Sequence, residues 1–198
     1  MRAQQQEAWC ACWSCQHPIQ KDSMVLRCPV CNALQPYYDD DPFTVLAVAP
    51  SYTLDFKQVD ESYIRLQAEM HPDRFPLASA KEKRIAAANT ATLNACYGTL
   101  RHPLKRAVAL MAHAGQRAST SNEQTTIDDP DLLMDMMTLR EQLADSDVAE
   151  AKRCYLEHLA ACEGAIDGAH RQQDWDAMDR HVTRLRYLLR LGEDVVGG

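Results

Sequence analysis

Pro72 constrains the path of this chain more than any other residue, because it falls between two strongly helical segments. Before it, Phe56, Val59, Tyr63, Leu66 and Met70 recur at alternating intervals of three and four, the spacing of one helix face. After it, Ser79 to about Leu100 reads as a second helix, with an inward stripe of Ile85, Ala88, Thr92 or Leu93, Cys96 and Leu100. Proline has no N–H to donate and drives the preceding residue out of helical geometry, so the first helix ends near Met70 or His71. The spacing predicts an antiparallel helical hairpin with His71-Pro72-Asp73 at its tip. Polar residues on such a tip are placed for a partner rather than for a core.

The rest of the chain is also helical in character. Only seven of 198 residues are glycine, and good helix formers fill the periodic segments. Asp41-Pro42 opens a short helix, and another begins near Pro103 with Leu104, Ala107 or Val108, and Met111 facing inward. No apolar run approaches the roughly 20 residues that span a bilayer. A net charge of −7, with Asp39-Asp40-Asp41 in one run, argues against nucleic acid as a partner. Residues 1–9 are too short and too weakly basic for a transit peptide.

Five of the eight cysteines crowd into residues 10–31. Cys12 and Cys15 form one pair, Cys28 and Cys31 another, each with two residues between. Two such pairs bring four thiolates to one ion and complete a tetrahedral zinc shell. A segment of about 30 residues cannot bury enough surface to order itself, so the metal would hold it together. A rubredoxin-like iron site or a redox dithiol uses the same sulfurs, and Cys10 and His17 are spare ligand candidates. Met24-Val25-Leu26 and Pro29 suggest a small hairpin for the second pair. Cys96, Cys154 and Cys162 lie on apolar helix faces as small hydrophobes.

Residues 115–130 read as a linker, and three amphipathic segments follow, about 131–144, 147–173 and 174–191. Their inward stripes are Leu132, Met136, Leu139 and Leu143; then Val148, Ala151, Tyr155, Leu159, Cys162 and Ile166; then Trp175, Met178, Val182, Leu185 and Leu189. Three such stripes close a three-helix bundle, with Asp174 capping the last helix. Leu133, Met134, Met137 and Glu141 fall opposite the first stripe and Tyr187 nearly opposite the last. A clustered exposed set of this kind is a protein-binding patch, unless it packs against other parts of the chain.

From about Cys12 to Leu191 the order of these motifs resembles the HscB family, the J-domain co-chaperones of iron–sulfur cluster assembly. The resemblance implies an all-α fold: a tetracysteine zinc module over 1–38, a J domain over 39–114, the linker, and a client-binding bundle over 131–198. His71, Pro72 and Asp73 match the loop with which J domains stimulate a DnaK-type ATPase chaperone. Family members present several basic residues on the helix before this loop; here only Arg65 stands close to it, with Arg74 beyond the tip and Lys57 further back. The stretch Leu132 to Leu143 and the segment Leu185-Arg186-Tyr187-Leu188 resemble the family's contacts with an IscU-type scaffold. That assigns Leu133, Met134, Met137, Thr138, Glu141 and Tyr187 to the client. Thr138 stands where some members carry an acid. The protein would then be an ATPase activator and no enzyme, with zinc as its cofactor. The resemblance favours the mitochondrial matrix, with the cytoplasm as the alternative. A J protein for another client, or a thiol redox protein, are the rival readings.

Overall fold

A computed structural model describes residues 9–20, 25–70, 79–119 and 129–196. Strands β1 (Trp9–Ala11) and β2 (Pro18–Gln20) pair antiparallel, with Cys10 opposite Ile19. Seven helices follow among the described residues: α1 (Pro42–Val45), α2 (Phe56–Met70), α3 (Ala80–Arg101), α4 (Pro103–His113), α5 (Pro130–Asp145), α6 (Val148–Gln172) and α7 (Trp175–Val196). The all-α reading with a small cysteine module in front holds. The chain divides into two compact units, Met1–Pro50 with Leu54–His102, and Ser51–Thr53 with Pro103–Gly198.

Local chemistry sets the helix ends in the first unit. The Asp41 carboxylate accepts from Thr44 N–H at 2.9 Å, and Pro42 sits in the first turn of α1. Ser79 and Glu82 form a capping box that starts α3. Helices α2 and α3 run antiparallel, as the residues they bring together show. Tyr63 stacks on Tyr97 with ring centroids 4.2 Å apart, Tyr63 Oη donates to Asn94, and Arg101 grips the Asp60 carboxylate. Phe43, Leu46, Val59, Leu66, Met70, Leu93 and Leu100 are buried at the centre of this unit.

The buried stripe of α3 is Ala86, Asn89, Leu93, Cys96 and Leu100, which corrects the expectation in the helix's first half. Ala88 is exposed and Ile85 only half-buried. The spacing 3-4-3-4 admits Asn89 in place of Ala88, and its amide has a buried partner, described below. Burial pushes the Cys96 thiol up to about 11, with the Asp39–Asp41 carboxylates adding to the shift. That is the behaviour of a packed, unreactive thiol.

In the second unit α6 and α7 pack along each other, with α5 against both and α4 against α7. Leu132, Met136, Leu139 and Leu143 are all buried, as are Ala151, Tyr155, Cys162, Ile166, Met178, Val182 and Leu185. Asp174 accepts from Ala177 N–H at 2.9 Å and caps α7. Four positions depart from the periodic reading, of which Leu159 and Trp175 are half-buried. Val148 is 80% exposed, because it begins α6 and has no preceding turn to pack beneath. Leu188 is fully buried while Leu189 is half-buried, so the end of the α7 stripe is rotated by one residue. Gly192 faces the Tyr155 ring so closely that a Cβ would lie 2.2 Å from Tyr155 Oη. Ser119, inside the expected linker, donates its N–H to Asp179 at 2.8 Å.

Candidate functional site

The cysteine module is built from two copies of one turn. Cys12 N–H donates to His17 O at 2.8 Å and Gln16 N–H to Cys12 O at 3.0 Å; Cys28 N–H donates to Ala33 O at 3.0 Å and Asn32 N–H to Cys28 O at 2.9 Å. Gln16 and Asn32 both take left-handed backbone, with φ of 63° and 60°, to close the two loops. Each loop presents one buried cysteine (Cys12, Cys28) and one exposed cysteine (Cys15, Cys31). Strands β1 and β2 flank the first loop; a single bridge, Arg27 with Leu34, flanks the second.

The four Sγ atoms lie within 4.8 Å of one another, with Cys12–Cys31 and Cys15–Cys28 both at 3.6 Å. Four sulfurs around one ion at bonds of about 2.3 Å would stand about 3.8 Å apart, so the cluster fits a tetrahedral metal and is far too open for disulfides. Burial opposes ionisation of Cys12, but N–H groups of Cys15 and Ser14 and the neighbouring thiols outweigh it and hold it at about 6. The Cys28 thiol is lowered by the equivalent N–H groups of Cys31 and Val30, again against burial. Cys10 and His17 stand outside the set of four.

What holds this module in place lay beyond the reach of the motif. Gln35, wholly buried, donates its amide to Cys12 Sγ at 3.4 Å and to Ala33 O at 2.7 Å. Trp13 Nε1 donates to Leu34 O, and Lys81 Nζ stands 4.6 Å over the Trp13 ring. Asn89 clamps the exit of the module to α3: its Nδ2 donates to Gln35 O at 2.8 Å and its Oδ1 accepts from Tyr37 N–H at 2.9 Å. Asn89 lay off the stripe expected from the sequence, which ran through Ala88 instead. Asn89→Ala should therefore cost on the order of 2–3 kcal/mol, since it strands a backbone donor and acceptor. Urea unfolding followed by circular dichroism checks this.

His71, Pro72, Asp73 and Arg74 lie outside the described residues. Arg65 is exposed on α2, and its guanidinium meets Glu69 one turn on at 3.4 Å; Lys57 meets Glu61 at 3.9 Å in the same way. Both basic groups of this helix thus face an acid, and exposed pairs of this kind add little to stability.

In the second unit the structure brings Leu133, Met137 and Tyr187 together on a groove of about 240 Å³. Met136, Arg140, Arg190 and Leu191 complete its lining. Met134 is 66% exposed and stands on the same helix outside the groove, as do the exposed Thr138 and Glu141. Arg140, Leu191 and Arg190, three residues after Tyr187, were missed by the sequence reading. Their spacing would have found them, because Arg140 lies seven residues after Leu133, and Leu191 four after Tyr187.

A family model described as the HSCB C-terminal oligomerisation domain matches residues 128–196. The co-chaperone protein HscB of Proteus mirabilis (strain HI4320) is 32% identical over 163 residues, which are 78% of this chain and 93% of that protein. An HscB homologue of Shewanella loihica (strain ATCC BAA-1088 / PV-4) is 36% identical over 126 residues, 64% of this chain and 72% of its own. The crystal structure of human co-chaperone protein HscB superposes with a TM-score of 0.81 at 25% identity, covering 94% of this chain and 97% of that one. The chaperone HscB from Vibrio cholerae gives 0.70 at 26%, covering 79% and 96%.

A helical hairpin carrying a four-cysteine cluster, followed by a helical bundle with an open apolar groove, is the architecture of a co-chaperone. The bundle is the part that the family model matches. The chain belongs to the HscB co-chaperone family.

Proposed function

We propose that this chain joins a DnaK-type ATPase chaperone to an IscU-type iron–sulfur scaffold and promotes cluster transfer from that scaffold. The observation that carries this reading is the groove of Leu133, Met137 and Tyr187. These apolar side chains converge from α5 and α7 without covering one another, so a partner that covers them gains burial of roughly 1.5–3 kcal/mol per side chain. Met134, Thr138 and Glu141 extend the contact along α5. The cluster and the nucleotide belong to the partners, and this chain supplies surfaces.

The ATPase half of the reading rests on His71-Pro72-Asp73 and on the hairpin that carries it. Helices α2 and α3 are antiparallel, a capping box starts α3, and the tripeptide lies in the chain between Met70 and Ser79. Asp73 offers a charge-assisted acceptor to a basic group of the ATPase, and Pro72 restricts the backbone. Because Arg65 and Lys57 each face an acid, steering toward an acidic partner is weak, and capture of the ATPase is slow rather than lost. Holding scaffold and ATPase on one chain raises the local concentration of one for the other.

Cys12, Cys15, Cys28 and Cys31 would hold one zinc ion. When bound, it supplies a cross-link and no reactive position, since four sulfurs fill its shell. Coverage of 94% of this chain by the human structure, against 79% by the Vibrio one, supports a eukaryotic-type form with the module in front. The mitochondrial matrix is the corresponding location.

The test of the client half is a binding titration with purified scaffold. Leu133→Ala/Met137→Ala/Tyr187→Ala should weaken binding at least a hundredfold with the melting temperature unchanged, since these residues are not core. Binding unaffected by the three changes would assign the chain to a different client.

A further inference from the structure

The groove does not end at the residues assigned to the client. A second cavity of about 450 Å³ adjoins it, lined by Arg140, Leu143, Ala144, Ser146, Val148, Ala151 and Leu191. Arg140 and Leu191 line both, so the two cavities are neighbours, one reaching Leu133 on α5 and the other Val148 at the start of α6. Val148 is 80% exposed, the highest value among the large apolar side chains of the described residues, and it lines the second cavity.

The charges of the lining are one-sided. Arg140 and Arg190 are the only ionised side chains that line either cavity, and both are exposed. Arg184, on the same helix as Arg190, is paired with Asp135, whereas Arg140 and Arg190 form no ion pair among the described residues. In a chain with net charge −7, two unpaired guanidiniums beside an apolar floor mark a place where an anionic group is favoured. Guanidinium is also suited to hold a carboxylate at a half-dry surface, being planar and weakly hydrated.

We propose that the scaffold segment bound by this chain extends over both cavities, presenting an acidic side chain to Arg140 and Arg190 and an apolar side chain to Val148. This rests on the scaffold reading above and adds a second contact with its own chemistry. The acidic contact selects the partner and speeds its arrival; the Val148 contact slows its departure.

Stopped-flow and calorimetric binding of purified scaffold to the full chain test it, with three variants beside the wild type. Arg140→Glu/Arg190→Glu should weaken binding by about tenfold or more, mainly through slower association that no longer falls with added salt. Arg140→Lys/Arg190→Lys should retain that salt dependence, because charge is kept. Val148→Glu should speed dissociation by about tenfold; an acid in the first turn of α6 suits the helix dipole, so the fold is kept. Leu133→Ala/Met137→Ala/Tyr187→Ala is the control for the underlying reading. If that control loses binding while the Glu variants bind like wild type, the extension over the second cavity is overturned and the scaffold reading stands. If the control also binds like wild type, both fall.

Discussion

Asp73→Asn is expected to abolish stimulation of a DnaK-type ATPase while leaving the fold, the four-cysteine cluster and scaffold affinity unchanged. The substitution keeps the shape of the side chain and removes one negative charge. A charge-assisted hydrogen bond is roughly twice as strong as a neutral one, and losing one partner of a desolvated charged pair costs about 2–5 kcal/mol. That range corresponds to a loss of about thirtyfold to several thousandfold in the population of the stimulated complex. Scaffold binding is spared because its groove is made by residues of α5 and α7 in the second unit. Single-turnover ATP hydrolysis, measured with and without scaffold, is the deciding assay. Stimulation that survives Asp73→Asn would remove the J-type assignment, whatever the scaffold titration shows.

Stripping the metal is the second large effect. If the four thiolates hold an ion, a chelator strong enough to compete for them should unfold residues 9–20 and 25–37, because the few polar contacts of Gln35, Trp13 and Asn89 are small beside a four-sulfur cross-link. Among the described residues its buried apolar side chains are few: Ile19, Ala33 and Leu34, with Cys12 and Cys28 belonging to the four-sulfur cluster. Structural zinc contributes on the order of 10 kcal/mol to small domains of this kind. The hairpin of α2 and α3 should persist with a lower melting temperature, since its core of Leu66, Met70, Leu93 and Leu100 is independent of the cysteines. It loses the clamp of Asn89 on Gln35 and Tyr37 and the stacking of Lys81 on Trp13. Hydrogen exchange should show full deprotection of residues 9–20 and 25–37, and four additional thiols should react. Retained protection after complete metal removal would mean that the module folds without an ion. Cys28→Ser should produce the same pattern without a chelator.

Much of this molecule was readable because its signals are local. Asp41-Pro42, Ser79 with Glu82, and Asp174 cap helices through side chains one turn away, so their effect is visible within four residues of chain. The paired cysteines carry their geometry in a two-residue spacing, and the left-handed Gln16 and Asn32 that close each loop follow directly after. The stripe of α5 was read without error because that helix contacts its neighbours along one narrow side. The stripes of α3 and α6 were misread at Ala88 and Val148, where the outcome depends on what lies opposite. A buried asparagine with two backbone partners more than fifty residues away has no local signature.

The chain alone determined the helices, their ends and the four-sulfur donor set, because each of these is settled by neighbours within a turn or two. Only the folded structure decided that Gln35 and Asn89 seat the cysteine module, that Val148 stands in the open, and that Arg140 and Arg190 share a groove with Tyr187. Those juxtapositions join residues remote in sequence, and the packing of whole helices, rather than any local preference, brings them within reach of one another.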